Sequence, residues 1–205
     1  MKREINPSDT SRKQAFDMWI DSTMPMVTLF KDIDVTHLVR VHRRTGLKIN
    51  MLICYCIVKV AGRIREFYML PMEGRLMEFD QLGVSIVVRN SNGGINWADL
   101  TLIESLQTFN DDYLRLTSRV AETCESLFNQ EQMNIGVSNL SRFEIDGVVN
   151  QYNGWYNNPF LCWGKFRRKW FRSYMRLSFQ FHHVQMDGEQ ACTFLEYLQE
   201  EVNRL

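Results

Sequence analysis

The sequence has no excess of charge of either sign. Its 205 residues include 24 Lys and Arg and 24 Asp and Glu, so the formal net charge is zero. A protein that attracts nucleic acid or an anionic membrane surface over long range usually carries a basic excess. We therefore expect no nucleic-acid partner and no membrane partner. Weak repulsion between copies of a neutral chain also permits self-association.

Cysteine is scarce and shows no pairing pattern. The chain has five cysteines, an odd number, and no two of them form a CxxC motif. Cys54 and Cys56 are separated by one residue, which is too close to cross-link distant parts of a fold. A disulfide-rich scaffold is therefore excluded, and the pattern is typical of a reducing compartment. We expect a cytoplasmic protein.

Long apolar runs are also missing. The longest, Ile49 to Val60, contains Asn50 and is too short to span a bilayer. The basic residues near the N-terminus are followed by no apolar stretch, so no secretory signal is visible. There are no internal repeats, low-complexity segments or linkers. We expect one domain over residues 1–205.

The apolar pattern that is present predicts an α/β domain with a mixed sheet. Helical periodicity and capping residues predict helices over about 12–21, 34–46, 50–65 and 101–127, and from 187 onward. Short β-rich runs predict strands at 27–30, 76–79, 84–88, 135–138, 145–149, 160–163 and 175–181.

The last predicted strand leads into two adjacent histidines. Apolar and polar residues alternate up to Phe181, which predicts a half-buried strand. Continuing the alternation puts His183 on the apolar face and His182 on the polar face. Asp187 and Gly188 follow and can open a helix, with Gln190 completing a capping box.

Three interpretations of the two histidines compete. Adjacent strand residues project to opposite faces, so His182 and His183 do not converge on one metal ion, and we expect no metal site. A structural histidine satisfied by hydrogen bonds is the second interpretation. The third is a general base, because a histidine at the end of an apolar stripe can be held neutral in a dry pocket.

The motif HHxxxDG at 182–188 resembles the signature of coenzyme A-dependent acyltransferases. The whole chain is similar to the chloramphenicol acetyltransferase family over nearly its full length. The similarity includes an Arg-containing N-terminal helix at 12–16, the segments 33–36 and 78–80, Val137-Ser138, and the strand at 159–166. The resemblance implies a two-layer coenzyme A-dependent acyltransferase fold, with a mixed β-sheet packed against helices.

The resemblance also implies roles for five residues. His183 would be the general base, with its other ring nitrogen held by a main-chain carbonyl, and Ser138 would stabilise the oxyanion. Asp187 would pair with Arg12 in a buried salt bridge rather than orient the histidine. Cys162 stands where the family has a threonine that holds a water near the oxyanion, and a thiol is a weaker donor than a hydroxyl.

The remaining implied contacts involve the two substrates. Lys48, Lys165 and Phe166 occupy positions that the family uses for coenzyme A. Positions of the acceptor pocket are filled by four residues that change its shape: Trp19, Thr23, Val27 and Ile95. The Pro-Trp that follows the serine in the family is absent.

The activity implied by the resemblance is transfer of an acetyl group from acetyl-CoA to a hydroxyl of a small molecule, such as chloramphenicol or a related compound. Family members are homotrimers with active sites between subunits. The departures at Cys162 and in the acceptor pocket leave an alternative, a regulatory protein that binds coenzyme A or a small ligand and has lost the activity.

Overall fold

The computed structural model describes residues 1–205 and contains five α-helices and ten β-strands. The helices are α1 (Lys13–Trp19), α2 (Thr36–Thr45), α3 (Ile49–Ala61), α4 (Leu106–Thr123) and α5 (Gly188–Arg204). The strands are β1 (Lys2–Ile5), β2 (Met26–Asp34), β3 (Met69–Met72), β4 (Arg75–Phe79), β5 (Leu82–Arg89), β6 (Ile95–Thr101), β7 (Met133–Leu140), β8 (Phe160–Gly164), β9 (Arg167–Lys169) and β10 (Arg172–His182). None of the helices combines the length and apolarity of a bilayer-spanning segment.

The strands form two sheets. The larger has the order β2-β10-β8-β7-β5-β6, and β9 forms a hairpin with β10. Its β5–β7 and β7–β8 pairs are parallel and the other pairs are antiparallel. The smaller sheet has the order β1-β4-β3. The predicted α/β class with a mixed sheet packed against helices is confirmed.

The two faces of the larger sheet differ in chemistry. Alternate residues such as Val84, Ile86, Ile135 and Val137 belong to one core cluster shared with the helices, and we call their side of the sheet the helix face. The residues between them project from the opposite face. These are mostly polar or small: Ser85, Asp99, Gly136, Ser138, Cys162, Ser178 and Gln180.

Strand β10 is not half-buried as the alternation predicted. It lies between β2 and β8, and from Leu177 onward its polar residues are as buried as its apolar ones. The reason is the segment 145–150, which runs over the opposite face. The Val148 N–H donates to Ser178 Oγ (2.8 Å), and Gln180 Nε2 donates to the Asn150 carbonyl (3.1 Å).

Two other predicted elements were wrong. Residues 145–149 form no strand, because their backbone groups bond to side chains of β10 rather than to a neighbouring backbone. The long helix predicted from 101 to 127 is shorter. Strand β6 occupies the residues up to Thr101, Ser105 caps α4 by accepting from the Thr108 N–H, and Cys124 in the left-handed conformation ends it.

Candidate active site

The turn that carries His183 is fixed by backbone hydrogen bonds. Strand β10 ends at His182, and the His183 N–H donates to the Pro25 carbonyl (2.8 Å), just before β2. Four residues later Asp187 caps α5, and the predicted capping box with Gln190 is confirmed. The histidine is therefore held between the end of a central strand and the start of a long helix.

The ring of His183 is held on one side by an aromatic stack. Its plane lies 8° from that of Trp19, with ring centroids 5.0 Å apart. Nδ1 is buried and lies 3.1 Å from Oδ1 of Asp187, although the contact lacks the alignment of a hydrogen bond. The other nitrogen, Nε2, makes no hydrogen bond within the chain and is free to accept one.

Arg12 and Asp187 form the predicted ion pair. Arg12 Nη1 donates to Oδ2 of Asp187 (2.6 Å) and Nη2 donates to Oδ1 (2.9 Å). Arg12 is 2 % exposed, whereas the Asp187 side chain is 45 % exposed, so only the cation is buried. The Arg12 guanidinium holds the pKa of Asp187 below its usual range, and His183 acts in the same direction.

The same arginine also binds the main chain of the histidine turn. Its Nε donates to the Val184 carbonyl (2.9 Å) and its Nη2 to the His183 carbonyl (2.8 Å). The resemblance implied a main-chain carbonyl beside Nδ1 of His183, but the group that lies there is the Asp187 carboxylate. Asp187 thus pairs with Arg12 as predicted, and it also lies in contact with His183, which the prediction did not include.

We expect Arg12→Ala to destabilise the protein by a few kcal/mol, because it leaves the carbonyls of His183 and Val184 without their donor at a cost of about 1–3 kcal/mol each, whereas the half-exposed Asp187 carboxylate regains water. Equilibrium denaturation in urea measures this loss. Lys13→Ala is the matched control, since Lys13 forms an exposed ion pair with Asp17 and its removal costs little. Equal unfolding midpoints for the two variants would contradict the structural role of Arg12.

His182, not His183, is the more buried of the two histidines, which corrects the assignment made from alternation. It is 1 % exposed, and its Nδ1 accepts from the Val184 N–H (3.1 Å). Burial lowers the pKa of His182 to about 4, and the neighbouring His183 contributes to the shift. His182 is therefore neutral at physiological pH and has a structural place in the turn.

The buried neutral His182 predicts a loss of stability in mild acid. Its pKa is about 4 in the folded chain and 6.5 when unperturbed, so the unfolded chain binds the proton first as the pH falls. Between these two pH values, protonation of His182 lowers the free energy of unfolding by about 1.4 kcal/mol for each unit by which the pH falls. Urea unfolding of wild type and His182→Asn from pH 4.5 to 7 measures this contribution. Parallel pH dependences would contradict it.

Ser138 and Cys162 lie side by side on the opposite face of the sheet. They are directly paired in the parallel β7–β8 register, and Cys162 is in turn paired with Ser178 of β10. Burial raises the pKa of the Cys162 thiol, an effect that its hydrogen bond with Ser138 only partly offsets. Cys162 is therefore a protonated thiol, which is a poor nucleophile.

Within one chain, Ser138 is far from His183. Ser138 is in line with Ser178, five residues before His183 on β10, and β8 lies between the two strands. These offsets correspond to roughly 17 Å along the strands and roughly 10 Å across them. Ser138 also projects from the face opposite the helices. One copy of the chain does not bring these two residues together.

The residues predicted to bind coenzyme A lie at the end of the sheet where β7 and β8 finish. Lys48 immediately precedes α3 and lines a cavity of about 270 Å³ with Asn139, the neighbour of Ser138. Lys165 follows β8 and is exposed, and Phe166 packs partly against the core. The set is thus close to Ser138 and not to His183.

Three of the four predicted acceptor-pocket residues lie on α1, on β2 or between them, and the fourth lies on β6 at the other edge of the sheet. Trp19 stacks on His183, and the exposed Thr23 lies in the connection between α1 and β2. Val27 is on β2, paired with Phe181, and packs against the core on the helix face. Ile95 is exposed on β6, at the far edge of the sheet and on the same face as Ser138.

Comparison with known proteins agrees with this architecture. The sequence model of the family described as chloramphenicol acetyltransferase matches residues 3–199. A chloramphenicol acetyltransferase of Campylobacter coli is 23 % identical over 209 residues, with 98 % of each chain covered. A solved chloramphenicol acetyltransferase superposes with a TM-score of 0.85 at 16 % identity, covering 98 % of this chain and 100 % of that one. A probable dihydrolipoamide acetyltransferase of Listeria monocytogenes gives a TM-score of 0.72 at 13 % identity, covering 98 % and 94 %.

The mixed sheet and the family match together define an acyltransferase that takes its acyl group from coenzyme A. Within that class, the family match spans nearly the entire sequence. The chain belongs to the chloramphenicol acetyltransferase family, and it is an acetyl-CoA-dependent acetyltransferase.

Proposed function

We propose that the protein transfers the acetyl group of acetyl-CoA directly to a hydroxyl of a small molecule, with His183 as the general base. The observation that carries this proposal is the difference in surroundings between the two ring nitrogens of His183. Nδ1 is buried beside the Asp187 carboxylate, which favours a proton on that nitrogen, and Nε2 has no partner in the chain. A neutral imidazole with a free Nε2 is the form that can accept a proton.

In the proposed reaction Nε2 of His183 takes the proton of the acceptor hydroxyl as its oxygen attacks the thioester carbon. The carbonyl oxygen gains negative charge, and the Ser138 hydroxyl donates a hydrogen bond to it. The C–S bond then breaks, and the thiolate of coenzyme A takes the proton from the His183 imidazolium. The products are the acetyl ester and free coenzyme A, and no acyl-enzyme forms.

The separation of Ser138 from His183 supports an active site shared between subunits. Within one chain, Ser138 and His183 are offset by roughly 17 Å along the strands and 10 Å across them, which is too far for a single thioester to contact both residues. We therefore propose a homotrimer in which one subunit supplies His183 and its neighbour supplies Ser138. Cys162, beside Ser138, would be a weaker hydrogen-bond donor to an active-site water than a hydroxyl.

The ends of the substrate site follow from the same arrangement. Lys48 and Lys165 supply positive charge for the phosphates of coenzyme A, and Phe166 supplies an aromatic surface for its adenine. Trp19 and Thr23 contribute to the acceptor side from the histidine subunit, and Ile95 from the serine subunit. Chloramphenicol and related xenobiotics are the first acceptors to test, with antibiotic resistance as the physiological outcome. Five unpaired cysteines fit a cytoplasmic location.

The test of this function is release of the coenzyme A thiol from acetyl-CoA in the presence of hydroxylated acceptors, including chloramphenicol. We expect release that depends on the acceptor and yields an alkali-labile ester. Tight binding of coenzyme A without turnover of any acceptor would instead favour a non-catalytic, regulatory protein.

A further inference from the structure

A half-buried carboxylate lies on the same face of the sheet as Ser138 and has no part in the proposed acetyl transfer. Asp99 is on β6, and its Oδ2 accepts from the Asn129 N–H (2.8 Å) and from Asn134 Nδ2 (2.9 Å). Its other oxygen, Oδ1, is buried and has no hydrogen-bond partner. An unpartnered carboxylate oxygen out of contact with water is unfavourable in an isolated chain.

The carboxylate is surrounded by neutral polar groups. In the strand register Asp99 is paired with Ser85, and Ser85 is paired with Gly136. A Cβ at Gly136 would lie 2.3 Å from the Phe160 ring and 2.8 Å from the Tyr156 hydroxyl, so the absent side chain leaves room for both groups on the same face. Burial raises the pKa of Asp99, the Ser85 hydroxyl and the Asn129 N–H only partly offset this, and no cation acts on the carboxylate. The cluster of Ser85, Asp99 and Tyr156 therefore lacks a positive partner within the chain.

The cluster lies next to the proposed reaction centre. Ser138 is two residues after Gly136 on β7 and projects from the same face. Asp99 is two strands away from β7, so its distance from Ser138 is on the order of 10 Å. A bound acceptor whose hydroxyl is near Ser138 can therefore reach Asp99 with a second group that lies on the order of 10 Å from that hydroxyl.

We propose that Asp99, with Ser85 and Tyr156, forms the polar end of the acceptor pocket and selects acceptors that carry a protonated amine. The ammonium group would donate to Oδ1 of Asp99, the one polar atom of the cluster that is buried and unpartnered. The spacing requires this amine to be on the order of 10 Å from the hydroxyl that is acetylated. An amine bound there stays protonated and is not itself acetylated. The inference rests on the proposed function, since the pocket is defined by Ser138.

The test compares two acceptors of equal length, 8-aminooctan-1-ol and nonan-1-ol, which differ only by an ammonium or a methyl group at the far end. We expect kcat/KM for acetylation to favour the amino alcohol at least about tenfold in wild type, because a neutral analogue leaves the carboxylate unpaired. Asp99→Asn should abolish the preference. Asp146→Asn is the matched control, since this carboxylate is 85 % exposed and should leave the preference unchanged.

A short pair, 3-aminopropan-1-ol and butan-1-ol, tests the spacing. Its amine cannot reach Asp99 from the reaction centre, so wild type should not distinguish the two compounds. Equal rates for the long pair in wild type would overturn the proposal. A preference for the amine that persists in Asp99→Asn, or that appears equally in the short pair, would also overturn it.

Binding without acetyl-CoA separates this proposal from the proposed function. Saturation-transfer NMR of wild type should show tighter binding of 8-aminooctan-1-ol than of nonan-1-ol even if neither is acetylated. Transfer to nonan-1-ol without a preference would uphold the acetyltransferase and remove the amine site. If Asp99→Asn does not fold, the long and short pairs in wild type decide the question.

Discussion

His183→Ala should lower kcat for acetyl transfer roughly 100- to 10,000-fold, which is the usual contribution of a positioned general base. The variant loses the one group whose free ring nitrogen can take the acceptor proton, while the Arg12–Asp187 pair that holds the turn is retained. KM for acetyl-CoA should change little, because the residues proposed to bind coenzyme A are distant from His183 in the chain. Thiol release under saturating substrates measures the effect.

His37→Ala is a suitable control, since His37 is a half-buried residue of α2 away from the histidine turn. It should keep the activity of wild type. A His183→Ala variant that folds, binds coenzyme A and turns over as fast as wild type would eliminate the proposed base.

Ser138→Ala should lower kcat roughly 100- to 1,000-fold, the range observed when one preorganised donor to an oxyanion is removed. The hydroxyl contributes more to the charged transition state than to the neutral thioester, so KM should be nearly unchanged. Ser138→Cys keeps a weaker donor and should fall between alanine and wild type. A drop confined to KM would assign Ser138 to substrate binding instead.

Mixing the two inactive variants tests the shared site. If His183 and Ser138 come from different subunits, unfolding and refolding an equal mixture of His183→Ala and Ser138→Ala should restore about one quarter of wild-type activity. Each required residue is intact in half of the subunits, so about one site in four receives both. A site built within one chain would give no recovery, because every chain lacks one of the two residues.

The sequence was sufficient for the fold class and for most of the helices. The glycine that ends α2, the capping box of α5 and the apolar period of α3 are local signals, and the structure confirms those elements. Strand β6 was missed because its pairing with β5 is a non-local interaction and its own alternation is weak. The strand predicted at 145–149 was wrong for the same kind of reason. The segment has a β-rich sequence, but its backbone bonds to side chains and not to a neighbouring strand.

The residues proposed for the site could be named from the sequence, but their arrangement could not be predicted from it. The motif and the resemblance identified His183, Asp187 and Arg12, whose contacts the structure contains. The burial of His182 was not predictable from alternation, because alternation assumes one solvent-exposed face and the segment over β10 removes it. The stack of Trp19 on His183 has no sequence signal, since it depends on how α1 approaches the turn.

The contact between Arg12 and the histidine turn joins residues 175 positions apart in the sequence. During synthesis the arginine leaves the ribosome 171 to 175 residues before its carbonyl and carboxylate partners. The guanidinium therefore stays solvated until residues 183–187 have been synthesised. A nascent or truncated chain that ends before Asp187 cannot form this contact, so we expect the histidine turn to be unfixed in incomplete products of translation, whatever part of the sheet they have formed.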